Sequence, residues 1–328
     1  MHTLIDGYQS FPGDHCGSVA MRGLLHHYCG LSLPEGAVFG LGSGIDCGYW
    51  ELPDGDPPVL VFGRTGTMEA DAAAALQVDY REQAEPDDAE AWRVVREEAG
   101  AGRPTMLSGD IFYLDYREFK VHFPAHRFVL LGFDDEAEQV FIADRIREEF
   151  EVCSYGALAK SRNPPVGIST FNLWGRFHGT EVGRNLTDAT RFAIARCAER
   201  MLAPGGGVDT IRRVANDVPG WPERGEPTWI ASYNARCIEK FGNGGGNFRR
   251  LYASFLGWAR ELDPALVPES AEALAVRAAD GWTAMSGALA KVSEEGAPPD
   301  GWTEAAEHAV RVADTEQELF ERLAERAA

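Results

Sequence analysis

The sequence has neither a long apolar run nor an excess of basic residues. No stretch of about 18 apolar residues occurs in the 328-residue chain, so no membrane-spanning helix is expected. Residues 1–6 lack the basic start and apolar core of a signal peptide, which predicts a cytoplasmic protein. With 31 basic and 51 acidic side chains, the net charge of −20 disfavours nucleic acid or an anionic membrane as a partner. The acidic balance suits a cationic small substrate, and it equally suits simple solubility.

The common cofactor and metal motifs are also missing. The six cysteines include no C-x-x-C pair, so we expect no metal site, and a reducing cytoplasm disfavours disulfides. In the spacing Gly40-x-Gly42-x-Gly44 the third glycine comes one residue too early for a dinucleotide-binding loop. That stretch contains neither a phosphate-binding G-x-x-x-x-G-K-[ST] loop nor a G-x-S-x-G serine elbow. We therefore expect the chain to bind no cofactor of its own.

The predicted strands and helices divide the chain into two parts. Strand patterns alternate with helices through the first half, whereas strand signals nearly disappear after residue 180. Residues 161–180 have the composition of a connector. The expected fold class is α+β, with an antiparallel sheet in a first domain over residues 1–163 and an all-α second domain over residues 164–328.

The most informative stretch, residues 13–18, places a cysteine at the start of a helix. Pro12 and Gly13 interrupt regular structure, and apolar residues then recur at helical spacing as far as Tyr28. At a helix start, N–H groups without intrahelical partners and the helix dipole favour an anion, so a thiol there loses its proton more readily. Cys16 is therefore a candidate nucleophile. The alternative is a small buried residue that packs a helix terminus.

A second stretch supplies a candidate base for this thiol. Two apolar strands, 128–133 and 140–143, flank an acidic hairpin loop, with His126 at the entry of the first strand and Asp144 at the exit of the second. In an antiparallel hairpin these two ends lie side by side, so the side chains can touch. A carboxylate can then hold the imidazole in one tautomer, with its other nitrogen towards a thiol. His122 is an alternative base, although it lies off the strand.

Two glycine-rich segments allow both a binding and a structural interpretation. The glycines of residues 40–44 let the backbone pass close either to a ligand or to the Cys16 helix. Residues 243–246 precede a strongly amphipathic helix over 248–262, whose start could hold an anion with Arg249 or Arg250 assisting. The structural alternative is a tight turn followed by a core helix.

These motifs together resemble a known family. Cysteine at a helix start followed by histidine and aspartate on a distal hairpin is the order of a papain-type site. Residues 10–20 and 38–44 resemble the N-terminal domain of butirosin biosynthesis protein H, and residues 238–249 resemble the helical domain that follows in that family. The resemblance covers nearly the whole chain. It implies a papain-like, cysteine-nucleophile first domain, with the helical domain as a lid that helps to bind the acceptor.

The resemblance also implies an activity and its partners. In the family an acyl or aminoacyl group passes from the phosphopantetheine arm of an acyl or peptidyl carrier protein to an amine of an aminoglycoside, in antibiotic biosynthesis. Carried over here, Cys16 takes the acyl group, His126 acts as base and acid, and Asp144 orients His126. The acceptor is a cationic small-molecule amine, which agrees with the net charge. Since carrier proteins are usually acidic, a local basic patch is needed, with Arg249, Arg250, Arg212 and Arg213 as candidates.

The oxyanion hole departs from the papain pattern. Papain-type sites place a glutamine six residues before the cysteine, where this chain has Ser10, and Gln9 lies seven before. We expect Gln9 and the backbone N–H of Cys16 as donors, with His15 as an alternative second donor. The residues leave other functions open: a cysteine peptidase or amidase uses the same triad, and a non-catalytic assembly or binding protein could keep the fold.

Overall fold

A computed structural model of the protein describes residues 1–52, 54–165, 168–294 and 300–327. The strands are β1 (His2–Leu4), β2 (Ile45–Glu51), β3 (Val59–Arg64), β4 (Tyr80–Gln83), β5 (Thr105–Gly109), β6 (His126–Asp134), β7 (Gln139–Ala143), β8 (Glu151–Ser154) and β9 (Trp174–Phe177). The helices are α1 (Cys16–Cys29), α2 (Glu35–Leu41), α3 (Met68–Leu76), α4 (Asp88–Gly100), α5 (Tyr155–Arg162), α6 (Leu186–Leu202), α7 (Gly207–Asp217), α8 (Pro227–Glu239), α9 (Arg249–Leu262), α10 (Ala271–Val292) and α11 (Gly301–Ala327). The α+β class is confirmed.

The chain forms two compact units. The first comprises Met1–Glu35 and Gln77–Gly183, and the second comprises Gly36–Leu76 and Arg184–Ala328. The division therefore differs from the expected one between residues 163 and 164. Two local pairings account for this: β9 hydrogen-bonds to β4 and β5 of the first unit, while the β2–β3 hairpin contributes Val59 and Val61 to the core of the second.

The first unit is built on an antiparallel sheet in the order β4-β9-β5-β6-β7-β8, with β1 paired to the distal half of β6. Alternate residues of β6 point to opposite faces. Phe128 and Leu130 belong to a buried cluster with residues of α4 and α5, such as Val95 and Leu158. Strand β6 therefore lies in the middle of the sheet and carries the core of this unit. His126 is its first residue, at one end of the sheet.

The second unit is mostly helical, as the sequence predicts for the later part of the chain. Its buried cluster draws on α6–α11 and on the β2–β3 hairpin. The sequence pattern favours two helices, over 269–279 and 281–294, whereas the structure has the single helix α10. Gly281 lies inside it, and a Cβ there would meet Val312 of α11 at 2.6 Å, so this glycine serves close helix packing rather than helix termination. No helix among the described residues is long and apolar enough to cross a membrane.

The glycine-rich stretch around residue 40 also serves packing within the second unit. Gly36 and Gly40 lie one turn apart on α2, and a Cβ at Gly40 would meet the Phe255 ring at 1.9 Å. A Cβ at Gly36 would meet Ser254 at 2.7 Å. These glycines let α2 approach α9, so the close neighbour of Gly40 is the Phe255 ring and not the Cys16 helix.

One expected strand is a helix in the structure. The apolar residues 111–114 fit a continuation of the strand that begins near 104, but Ile111–Tyr113 form a 3₁₀ turn. Asp110 caps this turn, since its Oδ1 accepts the backbone N–H of Phe112 at 3.1 Å. An aspartate that binds the backbone two residues on favours a turn over a strand.

Candidate active site

Helix α1 begins at Cys16, so the prediction of a helix start there is confirmed. His15 caps the helix: its backbone is extended, and its ring Nδ1 accepts the backbone N–H of Ser18 at 3.2 Å. The Cys16 side chain is buried, with 6% of its surface exposed. The thiol therefore lies at the positive end of the helix dipole with little access to water.

The turn before Cys16 is fastened by a carboxylate that the sequence did not single out. Glu35 Oε1 accepts the backbone N–H of His15 at 2.7 Å and the Ser18 hydroxyl at 3.0 Å, and Oε2 accepts the backbone N–H of Asp14 at 3.0 Å. Burial raises the pKa of Glu35, and these hydrogen bonds oppose the rise. Glu35 therefore fixes the backbone just before the thiol and the Ser18 side chain just after it. A lone glutamate 19 residues away gives no sequence signal for this role.

Gly13 is needed because the same turn is crowded. Its backbone N–H donates to the Arg145 carbonyl at 2.8 Å, which ties the turn to the end of the β6–β7 hairpin. A Cβ at Gly13 would meet Glu35 Oε2 at 2.4 Å and Val19 at 2.6 Å. Glycine is thus the residue that lets Glu35 reach the backbone ahead of Cys16.

The β6–β7 hairpin brings His126 and Asp144 together, as the antiparallel geometry predicts. Val129 pairs with Ala143, so Asp144 leaves β7 beside the first residues of β6. His126 Nε2 lies 3.1 Å from Asp144 Oδ1, with the oxygen off the ring N–H axis. The Cys16 side chain is within hydrogen-bonding range of the same ring. Because Nε2 faces Asp144, Nδ1 is the nitrogen left for the thiol.

The electrostatics of this group favour a charged imidazole. Burial opposes a charge on His126, but the Asp144 carboxylate and, after it, Cys16 outweigh burial and raise the pKa of His126 to about 10. Burial would raise the pKa of Asp144, yet the His126 charge and hydrogen bonds hold it well below its ordinary value. At neutral pH the site therefore contains an imidazolium held between a carboxylate and a thiol sulfur, an arrangement that stabilises thiolate.

Two further groups hold Asp144 in place. The Tyr116 hydroxyl donates to Asp144 Oδ2 at 3.0 Å, and the backbone N–H of Arg145 donates to Oδ1 at 2.7 Å. Burial and the neighbouring Asp144 charge raise the pKa of Tyr116, so its hydroxyl keeps its proton. Tyr116 lies in the irregular segment between β5 and β6, where no sequence pattern pointed to it.

A small cavity opens beside Cys16, and the residues that line it are the candidates for an oxyanion hole. Tyr8 and Ser10 line it, together with Arg127 and Arg145 at the hairpin end. Gln9 is exposed and is not among the residues that line this cavity. Ser10, which stands where papain-type sites have glutamine, thus lines the cavity beside the thiol.

His122, the alternative base, pairs with a different carboxylate. Its Nδ1 lies 2.6 Å from Oδ2 of the buried Asp110, and its ring stacks on Phe112 with centroids 4.1 Å apart. About half of the His122 side chain is exposed. His126, and not His122, is therefore the histidine that the structure joins to Cys16.

The expectation that Arg249 binds an anion is wrong. Its guanidinium is buried and donates to Glu316 at 2.7 and 2.8 Å and to the Gly63 carbonyl at 2.8 Å. Glu316 in turn accepts the Trp282 indole N–H at 2.8 Å. This arginine is a core residue of the second unit and has no surface to offer a partner.

The other arginines of the expected basic patch each lie beside an acidic side chain. They are half-exposed and form these ion pairs: Arg250 with Asp280, Arg212 with Asp209, and Arg213 with Glu51. Each positive charge is thus locally balanced. Across the described ranges no group of three or more His, Cys, Asp or Glu side chains could hold a metal ion.

Comparison with known families gives two adjoining matches. The N-terminal domain of butirosin biosynthesis protein H matches residues 15–145, which contain all three residues of the Cys16 site. A domain of unknown function, DUF4872, matches residues 159–323. No curated protein is significantly similar to the chain.

Proposed function

Because the chain belongs to the family that joins the N-terminal domain of butirosin biosynthesis protein H to DUF4872, we propose that it is an acyltransferase of antibiotic biosynthesis. It moves an acyl or aminoacyl group from a carrier-protein thioester, through Cys16, to an amine of an aminoglycoside or similar amino sugar. The observation that supports this most strongly is the contact of the His126 ring with both Cys16 and Asp144.

In the first half-reaction the Cys16 thiolate attacks the thioester carbonyl of the donor. A new bond forms between Sγ and the carbonyl carbon, and the bond to the pantetheine sulfur breaks. His126 donates its proton to the departing sulfur, while Asp144 keeps the ring aligned. The exchange of one thioester for another is nearly balanced in free energy, so the acyl-enzyme needs no external energy source.

In the second half-reaction an amino group of the acceptor, which has first lost its ammonium proton to solvent, attacks the acyl group on Cys16. The C–N bond forms as the C–S bond breaks, and neutral His126 takes the proton that the amine loses. This restores the thiolate and the imidazolium. The amide is more stable than the thioester, which makes the step irreversible in practice.

Exclusion of water favours transfer over hydrolysis. An acyl-enzyme survives until the amine arrives only if water is kept from it. Cys16, His126 and Asp144 are exposed by 6%, 2% and 3% respectively, and the adjoining cavity is small. The net charge of −20 supports a cationic amine as acceptor because it raises the local concentration of such a molecule.

The developing oxyanion needs donors beside Cys16. The backbone N–H of Cys16 belongs to the first turn of α1, where N–H groups point out of the helix. Ser10 supplies a hydroxyl in the wall of the same cavity. Gln9, the donor expected from the sequence, remains a second candidate, and we rank Ser10 above it because Gln9 is exposed.

The test is intact-protein mass spectrometry after the full chain is mixed with acyl-carrier thioesters. We expect a mass gain equal to the acyl group on the wild type and none on Cys16→Ala. The matched control is Cys29→Ala, which removes a free, partly exposed thiol at the other end of α1 and keeps the adduct. Addition of an amino sugar should then discharge the adduct as an amide.

Two outcomes would contradict the proposal. Release of the free acid at the same rate with and without an amine would indicate a cysteine peptidase or amidase. Absence of any adduct, with the carrier left charged, would indicate a binding protein.

A further inference from the structure

A cavity separate from the Cys16 site lies between α4 and α5 in the first unit. Its volume is about 300 Å³, and it shares no described lining residue with the cavity beside Cys16. The side chains that give it chemical character are Asp88, Trp92, Tyr155, Leu158, Arg162 and Asn172. Nothing in the proposed transfer reaction uses them.

One part of the wall is apolar and aromatic. The Trp92 and Tyr155 rings contact each other with centroids 4.8 Å apart and an interplanar angle of 56°. Leu158 joins them from the buried cluster under the sheet. Such a surface binds an apolar or aromatic side chain of a ligand.

A second part of the wall is a buried cation, Arg162, that makes no direct ion pair with any described residue. Arg162 is 2% exposed and donates to the carbonyls of Ala91 at 3.3 Å and Asn172 at 3.1 Å. Within the part of the chain that the structure describes, its Nε has no hydrogen-bond partner. Among the described residues no carboxylate lies within ion-pair distance of it. Burial lowers the pKa of Arg162 to about 10, and Asp88 only partly opposes this. A buried arginine normally has an anionic partner, and here a ligand carboxylate would supply it.

A third part of the wall is an exposed carboxylate. Asp88 Oδ1 accepts the side-chain amides of Asn163 at 2.7 Å and Asn172 at 2.9 Å, and these hydrogen bonds hold the pKa of Asp88 below its ordinary value. The backbone carbonyl of Asn172 accepts a hydrogen bond from Arg162, and its side-chain amide donates one to Asp88. The positive and negative groups are thus side by side on one wall.

We propose that this cavity binds a free amino acid in its zwitterionic form. The carboxylate of the ligand pairs with Arg162, its ammonium group pairs with Asp88, and an apolar or aromatic side chain packs on Trp92, Tyr155 and Leu158. Two opposite charges next to an apolar surface match this class of molecule better than a simple acid, amine or hydrocarbon.

Calorimetric titration of the full chain with three related compounds tests the proposal. L-Phenylalanine carries both charges, 3-phenylpropionate lacks the ammonium group, and 2-phenylethylamine lacks the carboxylate. We expect L-phenylalanine or L-leucine to bind, and each truncated compound to bind at least about tenfold more weakly than L-phenylalanine. Equal affinity for 3-phenylpropionate and L-phenylalanine, or no binding of either amino acid, would overturn the proposal.

A pair of neighbouring carboxylates provides matched variants that should both fold. Asp88→Asn should weaken L-phenylalanine about tenfold or more and leave 3-phenylpropionate unchanged. Asp87→Asn is the control: Asp87 is the N-cap of α4 and does not line the cavity, and asparagine caps a helix equally well. Equal effects of the two variants on binding would refute the role of Asp88.

Discussion

The Glu35 carboxylate accepts the backbone N–H of His15 at 2.7 Å, one residue before the thiol of Cys16. The same carboxylate binds Asp14 and Ser18, so it holds the backbone just before Cys16 and the Ser18 side chain just after it. Its charge therefore matters to the position of the thiol. Because burial raises the pKa of Glu35, protonation of this group occurs at a higher pH than for an exposed glutamate.

Glu35→Gln should slow acylation of Cys16 with little effect on stability. The amide keeps the size of the side chain, but its NH₂ group cannot accept a backbone N–H, so one hydrogen bond of the turn is lost. We expect at least about a tenfold lower rate, because a small misplacement of a reacting group can cost on the order of 10²-fold in rate. The measurement is the rate of acyl-enzyme formation in parallel with urea unfolding at pH 7.

A pH profile separates this role from a purely structural one. The raised pKa of Glu35 predicts an acid limb of the wild-type rate that lies above the ordinary range of glutamate, and that is absent in Glu35→Gln. The folded protein favours the neutral form of Glu35 more than the unfolded chain does. The contribution of Glu35 to stability therefore falls as pH rises through its pKa in the folded protein. Glu35→Gln should therefore unfold no more easily at pH 7. Identical acid limbs in the two proteins would disprove the positioning role.

His126 should titrate far above the ordinary range of histidine. Its pKa is raised from 6.5 to about 10, so folding takes up a proton between these values. The stabilisation is complete below about pH 6.5 and is lost as pH rises through about 10. NMR titration of the His126 ring should show this shift, and Cys16→Ala should lower the pKa because Cys16 is one of its causes.

Unfolding experiments give an independent check on His126. The melting temperature of the wild type should fall more between pH 7 and pH 10 than that of His126→Gln, which has no group to lose a proton there. If the His126 ring of the wild type titrates near pH 6.5, it is mostly neutral at pH 7. It then could not donate the proton that the proposed first half-reaction requires.

Tyr116→Phe should reduce the transfer rate by about tenfold while leaving the fold intact. The hydroxyl donates to Asp144 at 3.0 Å, and its loss leaves the carboxylate that orients His126 with one donor fewer. Tyr80→Phe is a matched control, since the Tyr80 hydroxyl donates at 3.0 Å to Glu82 and Tyr80 does not line the cavity beside Cys16. The comparison needs single-turnover transfer rates. Equal rates for the two variants would show that Tyr116 does not act through Asp144.

Ser10→Ala should affect acylation more than Gln9→Ala. Ser10 lines the cavity beside Cys16, whereas Gln9 is exposed and lines none of it. Loss of an oxyanion-hole donor costs about 10²–10³ in rate where that donor carries the charge, so Ser10→Ala should slow the acyl transfer markedly. Gln9→Ala should leave the rate nearly unchanged. The reverse order would restore the sequence-based choice of Gln9.

Features set by local rules could be predicted from the sequence. The start of α1 at Cys16 follows from the break at Gly13 and from helical spacing after it, and the contact of His126 with Asp144 follows from the geometry of one hairpin. Both features could be predicted because each depends on a few neighbouring residues or on one hairpin.

Features set by distant packing could not be predicted. Glu35 reaches the Cys16 turn because α2 begins there, and no periodicity marks a single glutamate for that task. Strand β9 has only four residues after a proline-containing connector, so its pairing with β5 depends on tertiary contacts. The residues next to Arg249 in the sequence are the same whether its side chain faces solvent or a buried partner. The sequence therefore could not predict the burial that rules out the expected anion site.

The buried pair of Arg249 and Glu316 leads to a prediction about stability. Glu316→Gln leaves a buried guanidinium without its counter-charge and weakens the acceptor of the Trp282 indole N–H at the same position. Removal of one partner from a buried ion pair costs about 3–5 kcal/mol, so the free energy of unfolding should fall by this amount in urea. The size of the effect depends on burial, and a surface pair offers the comparison.

Glu90→Gln is that comparison, because Glu90 pairs with Arg93 on the exposed face of α4. Water screens this pair and solvates either partner when the other is lost, so the unfolding curve should not move. Measured side by side in urea, the two variants separate the effect of burial from the effect of removing a negative charge. If Glu316→Gln is no more costly than Glu90→Gln, Arg249 has found another partner or water, and its place in the core of the second unit must be revised.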